Sequence, residues 1–182
     1  MEEEQKKNSG KRSDEEYDLL VPPKDILVMG VGNLVLKDEG VGCHVARILR
    51  NIGLPEGGDV LDGGTGGLTL METLQAYKNL ILIDASLDGL PPGTVRRLCP
   101  QYVQDYPPLL SAHEIGLKQM IEAMMMQGVV PHIELLAVSV KDFQSVGLQL
   151  SPEVRRSVPQ VLQMVFEIIC DLRDRAGDRA SW

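Results

Sequence analysis

The chain has 182 residues, of which 43% are hydrophobic and 24% charged, the balance of a globular protein with enough apolar mass for one domain core. Its formal net charge of −8 argues against a nucleic-acid or anionic-membrane partner, because phosphate binding needs clustered Lys and Arg. Three cysteines, Cys43, Cys99 and Cys170, are far apart, odd in number and without a C-x-x-C pair; that pattern points to a reducing, cytoplasmic setting and away from a disulfide scaffold or zinc ribbon.

Residues 1–23 are rich in Glu, Asp, Lys and Arg and close on Pro22-Pro23, so they are expected to form a flexible tail rather than a signal peptide. No apolar run reaches the roughly 20 residues that a membrane helix needs. A domain is expected over 24–176, with a short C-terminal tail at 177–182.

Ile26-Leu27-Val28-Met29 is a short continuous apolar run stopped by Gly30-Val31-Gly32-Asn33, the pattern of a strand buried in a parallel sheet. Gly40 to Arg50 carries Val41, Val45, Ile48 and Leu49 at helical spacing, with Gly53 as a stop. Val60-Leu61 is a second strand candidate, cut off by Asp62-Gly63-Gly64-Thr65-Gly66-Gly67. A helix is expected over Leu68 to Ala76, with Leu70, Met71 and Leu74 buried. Leu80-Ile81-Leu82-Ile83 reads as a third strand, ending at Asp84. Thr94 to Leu98 carries Arg96 and Arg97 and reads as an edge strand.

Ser111-Ala112-His113-Glu114 has the S-x-x-E capping-box pattern and opens a helix. Leu117, Met120, Ile121, Met124 and Met125 follow at three- and four-residue steps, so the methionines are a core face rather than a copper site. Ile133 to Val140 reads as a strand. Ser151-Pro152-Glu153 starts the last helical region, which Pro159 is expected to break or restart. The alternation of strands and helices argues for a single-domain α/β fold: an open, mostly parallel twisted sheet with helices on both faces.

In such sheets, sites gather beyond the carboxyl ends of the strands. The first such loop, Gly30 to Gly42, is not a dinucleotide fingerprint. Val35 stands where the third glycine belongs, and Leu34 to Glu39 separates Asn33 from Gly40. Asp38 and Glu39 would repel phosphate, and there is no G-K-[ST] sequence. Dipole pairing at a helix start explains those two carboxylates as well as chemistry does. Asp84, at the end of a buried strand, must be paired, solvated in a cleft or metal-bound. His113, in the first turn of its helix, is held toward the neutral form that can ligate metal. His113-Glu114 is no zincin motif, since Leu117 occupies the second-His position, and no G-x-S-x-G elbow is present. His44 and His132 have no acidic neighbour in sequence and are read as structural. The residues alone therefore reach a candidate constellation of Glu39, Asp84 and His113, suited to a divalent transition metal with open positions.

The string Ile26 to Asn33, followed by Asp38-Glu39-Gly40-Val41-Gly42, resembles the opening signature of the hydrogenase maturation proteases. Asp62-Gly63-Gly64-Thr65-x-Gly67, the strand ending Ile83-Asp84-Ala85, Ser111-Ala112-His113-x-x-Gly116-Leu117, and Gly147-Leu148 through Leu150-Ser151-Pro152 are similar to that family's further motifs, in its order. The resemblance implies a cytoplasmic endopeptidase that removes the C-terminal extension from the large-subunit precursor of a nickel-iron hydrogenase after nickel insertion. It implies that Glu39, Asp84 and His113 bind metal, the nickel being supplied by the precursor, and that they carry the catalysis. Asp38, Asp62, Gly63, Gly64 and Thr65 are expected to contact the substrate, although the glycines serve a tight turn equally well. Nickel either polarises the scissile carbonyl or activates water, or it positions the peptide while Glu39 or Asp84 acts as general base. The rival readings are a non-catalytic nickel-sensing chaperone of the same precursor and a nucleotide-dependent Rossmann-like enzyme.

Overall fold

A computed structural model describes residues 24–55, 58–100, 121–128 and 131–179. The expected N-terminal tail and the capping box at Ser111 lie outside the described residues. Five strands form one sheet in the order β2-β1-β3-β5-β4, where β1 is Lys24–Val31, β2 Gly58–Gly64, β3 Tyr77–Ser86, β4 Val95–Leu98 and β5 His132–Ser139. The first four of that order pair in parallel, and β4 closes one edge antiparallel to β5. Helix α1 spans Val41–Ile52, α2 Met71–Gln75, α3 residues 121–126 and α4 Pro152–Arg179, past the expected boundary at 176. A 3-10 turn, Lys37–Gly40, leads into α1, and a second, Gly67–Leu70, leads into α2.

The central strands are apolar on both faces because helices cover both. On one face Ile26, Val28, Ile81, Ile83, Leu136 and Val138 pack against Val41, Val45 and Leu49 of α1 and Val161, Val165 and Ile168 of α4. On the other face Leu27, Met29, Leu80, Leu82 and Leu135 pack against Leu74 of α2 and Ile121 and Met124 of α3. Burying such side chains stabilises the fold by about 1.5–3 kcal/mol each. Of the methionines expected on the core face, Met124 is fully buried and Met125 packs partly buried against the same cluster, while Met126, outside that face, is 90% exposed.

Two local expectations are corrected. Strand β3 does not end at Asp84; it continues to Ser86, because Asp84, Ala85 and Ser86 keep register with Ala137, Val138 and Ser139 of β5. Helix α4 passes through Pro159 without a break. Pro159 lies on the exposed side, while Val154, Val158, Val161 and Val165 on either side of it are buried. Water can satisfy the carbonyl that Pro159 leaves unbonded, and the continuous apolar stripe outweighs the lost hydrogen bond. Ser151 Oγ accepts the Val154 N–H at 3.4 Å and caps this helix.

Candidate active site at the carboxyl ends of β1 and β3

The strand order reverses direction between β1 and β3: the chain steps from β1 to β2 on one side and returns to β3 on the other. At such a switch point the connecting helices leave on opposite faces and open a crevice beyond the strand ends. The loop after β1 and the end of β3 border that crevice. They supply Glu39 and Asp84.

Contacts too close for any side chain but hydrogen hold the border together. A Cβ at Gly42 would lie 2.1 Å from the Ile83 carbonyl oxygen and 2.4 Å from that of Val31. A Cβ at Gly30 would lie 2.0 Å from the Gly42 carbonyl oxygen. The first turn of α1 therefore rests directly on the backbones of β1 and β3. That contact places Glu39, three residues before Gly42, beside the strand end that carries Asp84, one residue after Ile83. Gly32 adopts φ +131°, and a Cβ there would strike the Glu39 carbonyl oxygen at 1.9 Å; glycine is required on both counts.

Glu39 is 2% exposed and Asp84 7%. Both carboxylates are engaged in polar interactions, as buried charges must be. Asp84 Oδ1 accepts the N–H of Ala85 at 2.8 Å, which fixes the rotation of its carboxylate. By strand alternation Asp84 shares the face of Leu80 and Leu82, the side covered by α2 and α3. His113 lies outside the described residues.

The remaining expected residues take distinct places. Asp38 Oδ1 accepts the Ser151 backbone N–H at 2.7 Å, which ties the 3-10 turn to the start of α4. Asp62 pairs in register with Gly30 and faces α1, where Arg47 Nε donates to its Oδ2 at 2.9 Å. Burial works against the charge of Asp62, but the hydrogen bonds from Cys43 and Arg47 outweigh it and hold the carboxyl below its usual range. The Gly32 N–H donates to the Gly64 carbonyl at 3.0 Å and stitches the first two loops together. Gly63 is buried against Met29, and Gly64 needs its φ of +52° to turn the chain. Thr65 is exposed at the tip of that turn.

Sequence reasoning missed Cys43. Its thiol is fully buried and donates to the Gly32 carbonyl at 3.3 Å. Burial, reinforced by the hydrogen bond to Asp62, pushes the thiol up to about 12. It is a neutral donor that holds the glycine loop, not a nucleophile.

The family model for hydrogenase maturation proteases matches residues 43–168. The chain belongs to the hydrogenase maturation protease family. It is 31% identical over 150 residues to the hydrogenase expression/formation protein HupD of Bradyrhizobium diazoefficiens, covering 80% of this chain and 78% of that one. It is 30% identical over 144 residues to the hydrogenase 2 maturation protease of Escherichia coli, covering 78% and 88%. Among solved structures, the hydrogenase maturating endopeptidase HybD from E. coli superposes with a TM-score of 0.72 at 28% identity, covering 81% of this chain and 93% of that one. The family is one of peptidases, and the chain is an enzyme of that class. No helix among the described residues is long and apolar enough to cross a membrane.

Proposed function

We propose that this chain is an endopeptidase that cuts the C-terminal extension from the large-subunit precursor of a nickel-iron hydrogenase, and that it selects precursor already loaded with nickel. The observation that carries the reading is the placement of Glu39 and Asp84 as two buried carboxylates at the β1/β3 switch point. With His113 they make a set of two carboxylates and one imidazole, which suits a borderline divalent ion with open positions. The nickel belongs to the precursor and enters with it. Bound there, it supplies Lewis-acid polarisation of a nearby carbonyl.

The chain's own residues orient and shield. The Ala85 N–H holds the Asp84 carboxylate in one rotation, and the Ser151 N–H anchors Asp38 and with it the backbone turn that carries Glu39, so the turn and the strand end are positioned before substrate arrives. Burial keeps competing water from both. The bridge between Leu36 and Gly147 brings exposed Val35, Val146 and Leu148 to the rim of the first loop; this apolar shelf receives the precursor's C-terminal segment. The three thiols are free, in keeping with action in the cytoplasm.

The nucleotide reading fails on the residues at the start of α1. Val35 stands where the third glycine of the fingerprint belongs, and the carboxylates of Asp38 and Glu39, buried just ahead of the helix, would repel phosphate there.

Intact-mass spectrometry of nickel-loaded precursor tests the proposal. Wild type is expected to release a C-terminal peptide, and Glu39→Gln, Asp84→Asn and His113→Ala variants with native circular dichroism to leave the precursor uncut. A stable complex with wild type and no mass loss assigns the chaperone role instead and overturns the proposal.

A further inference from the structure

A second set of metal-ligand groups stands at the other end of the strands, where β5 begins and β4 ends. Cys99 follows the end of β4, His132 opens β5, and Glu134 lies two residues along on the same face of β5. One donor atom from each lies within 4.8 Å of the others, the one such group among the described residues. His132 sits five residues from Ala137, the partner of Asp84, so about 16 Å of strand separates this cluster from the candidate active site.

We propose that Cys99, His132 and Glu134 form a zinc-class metal site, independent of the proteolytic centre. His132 Nε2 is 3.1 Å from Glu134 Oε1. Two ligands bound tetrahedrally at about 2.0–2.1 Å are about 3.3 Å apart. A zinc ion can thus take the place of the shared proton with little movement of either side chain. Cys99 is exposed, so its thiol has the rotational freedom to close the remaining gap to about 3.5 Å, the spacing set by a Zn–S bond of about 2.3 Å. Thiolate, imidazole and carboxylate together favour zinc over the hard cations magnesium and calcium.

Glu134 is already built as a ligand held from behind. Its side chain is 3% exposed, and Arg97 grips both oxygens, Nε to Oε2 at 2.9 Å and Nη2 to Oε1 at 3.0 Å. Arg97 also reaches Asp171 of α4 at 2.7 Å. Outer-shell hydrogen bonds of this kind orient metal-bound carboxylates. The charge count permits a cation despite Arg97. Glu134 and Asp171 balance Arg97 and the nearby Arg175, and binding releases the thiol proton to solvent, so one divalent ion leaves the cluster with a single positive charge that an anion in the open position offsets. Burial and Glu134 push the Cys99 thiol up, while Arg175 and Arg97 pull it down; the metal must displace that proton, so affinity rises with pH. Three protein ligands leave a fourth position. His132 lines a cleft of about 370 Å³ with Lys78, Asn79 and Arg175, which admits water or a small anion there.

Cobalt titration of metal-free, full-length protein tests the site. Co²⁺ is expected to develop a thiolate-to-cobalt charge-transfer band that saturates at one equivalent of this site, with visible bands of tetrahedral intensity, and Zn²⁺ to bleach that band. Cys99→Ser should abolish the charge-transfer band, and His132→Ala should weaken binding by at least about 10-fold. Cys170→Ser, and the Glu39→Gln/Asp84→Asn pair, should leave the thiolate charge-transfer band unchanged. Absence of a thiolate band in wild type overturns the proposal. So does a band that survives Cys99→Ser, or one that disappears with Glu39→Gln/Asp84→Asn in protein of native circular dichroism.

Discussion

Gly42→Ala tests whether the close backbone contact sets the active site. The added methyl would meet the Ile83 carbonyl oxygen at 2.1 Å, the Val31 carbonyl oxygen at 2.4 Å and the Val31 nitrogen at 2.7 Å. All three are backbone atoms of the adjacent strands β1 and β3, so none can swing aside as a side-chain tip would. Helix α1 must instead retreat from the ends of β1 and β3 by more than about one ångström. Overpacking a close-fitted core costs 1–3 kcal/mol, and with two carbonyls struck at once the expected loss is about 3 kcal/mol. The retreat carries Glu39 away from Asp84, and a displacement of about 1 Å at reacting groups lowers rate by about 100-fold. Urea unfolding gives the first quantity. Precursor cleavage, measured where wild type and variant are both folded, gives the second. Gly53→Ala is the control: its Cβ meets nothing within 4 Å, and only its φ of +82° is unfavourable, so it should cost about 1 kcal/mol and leave cleavage unchanged. A Gly42→Ala protein with wild-type stability, or a destabilised one that cleaves at the wild-type rate, refutes the reasoning.

Asp38→Ala removes the acceptor of the Ser151 N–H and should destabilise the protein by about 2 kcal/mol in urea titration, the range of hydrogen bonds to charged groups. Cys43 is buried with its thiol raised to about 12; in native protein at neutral pH, iodoacetamide should label Cys99 and Cys170 and spare Cys43, which reacts only in denaturant, as peptide mapping would show. For Glu134, burial opposes its charge, but Arg97 and His132 outweigh burial and depress the folded value. Its contribution is therefore full above the unfolded Glu range near about 4.3 and is lost as pH falls through the depressed value. The stability gap between wild type and Glu134→Gln should be widest at neutral pH and narrow in acid, and a gap independent of pH speaks against the pairing.

Strands β1 and β3 were legible because a strand covered on both faces is a continuous apolar run, as Ile26–Met29 and Leu80–Ile83 are. The end of β3 was not, because Asp84 and Ser86 look like loop residues until β5 pairs with them. Pro159 misled for a similar reason: a local helix rule was outweighed by the buried stripe of α4. At the site, the sequence shows that Asp84 ends a buried apolar run and so needs a reason to be there, whereas Glu39, ahead of α1, is explained as well by pairing with the helix dipole. The partners of their neighbours were not legible. Asp38 meets Ser151 across 113 residues, and Cys43 meets the Gly32 carbonyl and Asp62 only once α1 is docked. The link between His132 and Glu134 is open to reading, since residues two apart on a strand share a face, and a structural reading of His132 overlooks it.

The most direct measurement compares one precursor preparation with and without nickel, incubated with the enzyme and weighed intact. Loss of the C-terminal peptide from the nickel-loaded form alone, abolished by Asp84→Asn, is the expected result. Equal cleavage of both forms, or undiminished cleavage by Asp84→Asn, would contradict nickel selection by the Glu39, Asp84 and His113 set.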